Sequence, residues 1–235
     1  MKKLFVVLAI LFFAQSAKAQ LFSNERLANI ENFDQKKLSW GYYLGYNSFS
    51  YKYKYREDNP DENVDVQVTA EGGFNVGLIG DVRLSDYFNI RLEPGLSFTT
   101  RSLIFPGFED ELDYLREVKS TYIHIPLLLK VSTKRVNNIK PFIIGGFSTS
   151  FNLSSNEDHP EDNEQGQFRS ISNTLSYELG FGIDIYMFFF KFTPSIRGVF
   201  SLSDELVRDQ DHNSPWTGNI ESMSSRGFFL NFTFQ

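Results

Sequence analysis

From Trp40 to the end of the chain, apolar and polar residues alternate at period two. That is the spacing of β-strands whose two faces meet different surroundings. Ile90, Leu92, Pro94, Leu96 and Phe98 fall on one face, opposite Arg91, Glu93, Gly95, Ser97, Thr99 and Arg101. Further on, Leu175, Tyr177, Leu179, Phe181, Ile183 and Ile185 oppose Ser176, Glu178, Gly180, Gly182 and Asp184. The same reading predicts eight strands, over 40–55, 68–84, 88–104, 117–134, 140–153, 171–187, 189–203 and 225–234. The links after the second, fourth and sixth strands are only a few residues, and the others run from about 12 to 21. Short turns at one end and long loops at the other are how outer-membrane barrels are built. The expected fold is therefore all-β: an eight-stranded antiparallel up-and-down transmembrane β-barrel over 40–235, with short turns and both termini in the periplasm.

Period two alone does not say which face points outward, because a soluble lipocalin-like barrel alternates in the same way. Composition decides. The polar set is rich in Gly, Ser, Thr and Asn, small enough for the cramped bore of eight strands, whereas a water-facing set would be dominated by long charged residues. The apolar set is dense in Phe and Tyr, as membrane-interface girdles require. The bore then receives Asp81, Arg83, Arg91, Glu93, Arg101, Lys130, Glu178, Asp184, Lys191 and Arg197. These residues form either a conduction path or a paired network that fills the tube, and the narrow bore favours the network.

Residues 1–19 read as a cleavable signal peptide: basic Lys2 and Lys3, apolar Leu4 to Phe13, then Ala17-Lys18-Ala19. The apolar run is half the length of a membrane-spanning helix. Without that segment the chain carries 20 basic against 29 acidic residues, a net charge of −9, which disfavours nucleic-acid binding. The absence of cysteine excludes disulfides, thiolate metal sites, a Cys nucleophile and lipidated cysteine.

Candidate chemistry is sparse. His124 lies among bore-facing positions, and His159 and His212 lie in acidic loops. No GxSxG or HExxH spacing accompanies them, so no enzymatic activity and no cofactor are expected. Twenty of the acids sit in the four long loops, five in each. They read as solvated loops, with a divalent-cation or basic-partner surface as the alternative and no EF-hand spacing to support it. Residues 20–39 form a periplasmic segment in which Leu27, Ile30 and Phe33 fall at helical spacing, with Ser23 or Asn24 as N-cap. The expected short amphipathic helix either covers the base of the barrel or offers a candidate partner-contact segment.

The stretches LFSNERLANIENFDQKKLSWGYYLGYN, GFNVGLIGDVRL, LEPGLSF, REVKSTYIHIPLLLK, KPFIIGG, SYELGFGIDIY, TPSIRGVF, SPWTGNI and the closing NFTFQ resemble the PorT family of Bacteroidetes outer-membrane proteins. The resemblance spans the chain from Leu21 onward. It implies a role in the type IX secretion system, which exports proteases and gliding-motility adhesins, and other secretion-system proteins as partners. The narrow bore argues against an export pore and for an accessory or assembly component. A small outer-membrane transport or ligand-binding barrel is the alternative, and a lipid-modifying enzyme dependent on His124 is a third.

Overall fold

Successive side chains of each strand point alternately into and out of one closed sheet. The computed structural model describes residues 28–56, 65–106, 114–157, 168–211, 214 and 216–235. The signal peptide assigned to residues 1–19, the capping residues Ser23 and Asn24, and Leu27 lie outside the described residues. Ten strand segments follow one another: β1 (Leu38–Tyr55), β2 (Gln67–Ala70), β3 (Gly72–Arg83), β4 (Phe88–Leu92), β5 (Gly95–Ile104), β6 (Leu115–Ser132), β7 (Ile139–Asn152), β8 (Asn173–Tyr186), β9 (Lys191–Ser201) and β10 (Ile220–Phe234). All pairings are antiparallel. β1 pairs with both β3 and β10, so the sheet closes on itself.

The ten segments form eight staves, matching the eight expected strands. β4 and β5 are one stave: Leu92 faces Gly80 and Gly95 faces Gly77, so the register runs across Glu93 and Pro94 without a slip. The interruption arises because Pro94 has no N–H to donate, although its carbonyl still accepts the N–H of Leu78 at 2.9 Å. β2 and β3 are also one stave, but with a bulge. Ala70 faces Arg101 and Phe74 faces Phe98, so this stave advances four residues while its partner advances three. Gly73 lies in the bulge. A Cβ there would stand 2.1 Å from the carbonyl oxygen of Phe98, which only glycine avoids.

The burial pattern is inverted relative to a water-soluble protein. Leu179 is 64% exposed and Phe181 63%, whereas Arg91 is 1% exposed and Glu178 2%. Such a continuous apolar exterior over a charged interior is stable only if the exterior meets lipid. Along β8 the outward residues run from Leu175 to Ile185. That is ten steps of roughly 3.3 Å at a tilt of about 40°, or about 25 Å of apolar height, the thickness of an outer-membrane band. Aromatic rings crowd its two margins. Tyr42 stacks on Phe234 at 5.3 Å toward the turn end, and Phe74 stacks on Phe98 at 4.4 Å toward the loop end.

Above the band the polarity reverses. On β1, Lys52 and Lys54 point outward while Tyr51 is buried inward, and Lys54 pairs with Glu221 on the outside at 2.8 Å. Tyr51, Val66, Leu103, Phe105, Phe168, Leu206, Ile220 and Met223 form an apolar core inside the loop end. This reversal explains why the last strand starts at Ile220 rather than the expected 225. Its first residues are apolar-in, so a pattern sought as apolar-out skips them.

The expected amphipathic helix falls partly outside the described residues. Over 28–37 it is a single 3-10 turn, Glu31–Gln35, because Ile30 adopts a left-handed backbone conformation (φ 48°, ψ 56°) that stops a helix from running through it. Among the described residues no helix is long and apolar enough to cross a membrane.

Candidate functional site

Among the described residues the bore concentrates the charged side chains, and it is built from inward positions of neighbouring staves. Near the turn end Asp81 accepts Nε and Nη2 of Arg91 at 3.0 and 2.8 Å. Arg91 Nη1 reaches Glu93 Oε1 at 3.4 Å, and the other oxygen of Glu93 accepts Arg197 Nη1 at 2.7 Å. Arg197 Nε lies 2.6 Å from Glu178 Oε2, and Glu178 Oε1 lies 2.8 Å from His124 Nε2. The far ring nitrogen of His124 is 2.8 Å from Ser150 Oγ. One unbroken series of contacts thus leads from Asp81 to Ser150. Beside it Lys130 donates to Asp184 at 2.5 Å, Thr193 donates to the other oxygen of Asp184 at 2.8 Å, and the Lys130 ammonium lies 4.1 Å from the Phe142 ring. The amides of Asn75 and Asn231 add a rung at 2.6 Å.

Charges this deeply buried are tolerated only when each meets an opposite charge and further hydrogen bonds. Of the ten bore positions named from sequence, Asp81, Arg91, Glu93, Lys130, Glu178, Asp184 and Arg197 join in these contacts. Lys191 is buried beside them, with its ammonium 4.4 Å from the Phe33 ring. Arg101 stands apart in the loop-end half, over Tyr51 at 4.2 Å and donating to the Tyr122 hydroxyl at 3.3 Å. Arg83 does not belong to the filled bore. It sits on the last residue of β3, so its side chain emerges at the rim, 31% exposed, and pairs with Asp86 of the adjoining turn.

Sequence reasoning missed several members. Arg116 precedes the expected start of its strand, yet it is buried with its guanidinium 4.7 Å from the Trp216 ring. Glu205 and Asp209, two of the twenty loop acids whose composition predicts solvation, are buried. The connection after β9 folds back over the bore, so its acids need partners there. Glu205 accepts the N–H and hydroxyl of Ser225 at 2.9 and 2.7 Å. Asp209 accepts Arg169 at 2.8 Å, Ser214 at 2.6 Å and Thr217 at 2.9 Å. Only the spacing of hydroxyl residues after Asp209 could have hinted at this. Most of the acids of the other three long loops lie outside the described residues.

The spaces beside these charges are small. A cavity of about 30 Å3 lies between Arg101, Tyr122, His124 and Glu205, and one of about 20 Å3 lies near Asp34 and Lys191. Each holds a water molecule or two and no solute. Ser150, His124 and Glu178 are the residue types of a nucleophile relay, but the space beside them admits water and not an acyl or phosphoryl substrate. Among the described residues no group of three His, Asp or Glu could hold a metal ion.

The segment before β1 closes the turn end. Phe33 and Asp34 lie across the mouth: Tyr186 donates to Asp34 Oδ1 at 2.5 Å, and Arg135 and Lys140 approach Asp34 at 3.6 and 3.7 Å. Asn29 donates to the Tyr186 carbonyl at 3.0 Å, and Arg135 donates to the Asn29 carbonyl. Of the candidate contact residues, Phe33 therefore packs on the barrel's own base, edge-on to Tyr186 at 6.2 Å. Asp34→Ala should release this segment without unfolding the barrel. Amide exchange of residues 28–37 is expected to speed up by about five- to thirtyfold, for a loss of roughly 1–2 kcal/mol in charged hydrogen bonds, with β7 and β8 unchanged.

Residues 13–207 match the sequence profile of a family described as outer membrane protein beta-barrel domain. No curated protein matches the chain. Solved structures similar to it include Neisserial surface protein A (8% identity, 84% of this chain and 98% of that one, TM-score 0.41). OprG of Pseudomonas aeruginosa shares 12% identity over 84% of this chain and 93% of its own, with TM-score 0.39. The attachment invasion locus protein Ail of Yersinia pestis shares 12% over 85% and 99%, with TM-score 0.38.

Proposed function

We propose that this chain, which belongs to the outer membrane protein beta-barrel domain family, is a non-enzymatic outer-membrane component required for type IX protein secretion or for assembling that machine. The observation that carries the reading is the filled bore. A tube whose buried charges pack around gaps of only about 30 and 20 Å3 acts through its surfaces and not through its lumen. A transport barrel would need a wider path than this. The choice of type IX secretion rests on the sequence resemblance to the PorT family. In this reading the termini and short turns face the periplasm, the acidic loops face outward, and partner proteins bind at either end.

Deleting the gene is expected to leave type IX cargo unexported inside the cell envelope, while unrelated outer-membrane barrels assemble normally. Full-length protein restores export, and so does a His124→Ala variant, which an enzymatic role would not allow. Normal cargo export in the deletion strain rules the secretion role out, and failure of His124→Ala to restore export, with the barrel folded, rules out the non-enzymatic part.

A further inference from the structure

The three short turns are not alike. The turn between β3 and β4 carries Ser85 and Asp86, with Ser85 Oγ accepting the N–H groups of Tyr87 and Phe88. The turn between β6 and β7 carries Lys134, Arg135, Asn137 and Asn138. The turn between β8 and β9 is Met187-Phe188-Phe189-Phe190, closed by the Met187 N–H donating to the Phe190 carbonyl at 3.0 Å. It has no polar side chain at all. Two-residue hairpin tips in water favour Gly, Asn and Asp, whose backbones and side chains suit the bend. Phe188 is 79% exposed and Phe189 94%, the largest exposures among the described large apolar residues.

The patch is continuous with the lipid-facing surface. Phe190 lies 6.0 Å from Phe234, and Phe234 lies 5.3 Å from both Tyr42 and Phe192, all outward residues at the turn-end margin of the band. We propose that turn 187–190 is immersed in the leaflet nearest the short turns. Phe188 and Phe189 anchor at the boundary between acyl chains and headgroups, so the apolar surface reaches lower at β8 and β9 than at the other two turns. Immersion stops at that boundary because a turn cannot satisfy all its backbone amides internally, while aromatic rings partition there readily. The rims at the other two turns carry Asp86 and Lys134, which hold them in water, and the barrel therefore sits tilted or the leaflet dips locally. The inference rests on the barrel spanning a membrane and is independent of the secretion role.

The chain contains no cysteine, so single-cysteine labelling needs no other change. Full-length Phe189→Cys, labelled with a nitrobenzoxadiazole dye, is compared with Asp86→Cys and Asn137→Cys in phosphatidylethanolamine–phosphatidylglycerol vesicles. Folding is checked by gel mobility before and after boiling. The expected result is blue-shifted emission at position 189, quenched by lipids carrying a nitroxide near the headgroup and untouched by aqueous iodide, with the reverse at 86 and 137. Iodide quenching at 189 equal to that at 86 overturns the proposal. So does a label that is wet in pure lipid and shielded only in native membranes, since the patch would then be a protein-docking surface. Phe188→Trp in a Trp40→Phe, Trp216→Phe background repeats the depth measurement without a dye.

Discussion

Arg197→Met is expected to destabilise the folded barrel by about 3–5 kcal/mol, the usual cost of removing one partner from a buried ion pair. Arg197 is 4% exposed and joins Glu93 to Glu178 through two different nitrogens, at 2.7 and 2.6 Å. Methionine fills much of the volume but leaves two carboxylates facing a gap, with Arg91 still beside Glu93 and His124 beside Glu178. Arg197→Lys should recover part of the loss, because an ammonium can approach one carboxylate closely while the planar guanidinium serves both. Urea titration in large unilamellar vesicles, followed by gel mobility, reads the difference. A loss below about 1 kcal/mol would mean that water reaches these carboxylates, and the bore could then no longer be described as filled.

Phe181→Arg is expected to cost about 2–4 kcal/mol, because position 181 lies midway along the outward face of β8, where an arginine meets acyl chains. In a water-soluble barrel the same change at a 63% exposed site would be close to neutral. The informative control is Ser102→Arg, which also points outward but lies above the reversal of polarity, beside Glu71 and opposite Glu117. Its expected effect is under about 0.5 kcal/mol. Equal effects at the two positions would contradict a lipid boundary between them.

The staves were legible from sequence because lipid on one side and a packed bore on the other impose opposite demands on alternate residues, as at Leu179 and Glu178. The seven residues in the central contacts could be read from parity alone. What parity cannot supply is depth. Arg83 has the same parity as Asp81 and lies only two residues further along, yet it has already left the tube. Tyr51, Leu103 and Met223 follow the alternation with the opposite polarity, so a rule tuned to a greasy exterior reads them poorly. Glu205 and Asp209 share a composition with solvated loop acids, and their burial depends on a connection folding back across the mouth. The left-handed backbone at Ile30, after which the 3-10 helix begins, has no signature in the helical spacing of Leu27, Ile30 and Phe33.

The core inside the loop end has a mechanical consequence. From Ser48 to Tyr55 β1 continues for seven more steps, about 18 Å along the membrane normal at the same pitch and slope. Its neighbours are locked around Tyr51, Leu103 and Met223. The strands of an ordinary small porin end near the headgroups, but here they continue beyond them as a stiff collar. A large molecule docking at the loop end would meet a pedestal standing clear of the bilayer, shaped before it arrives, so little ordering entropy is lost when it binds.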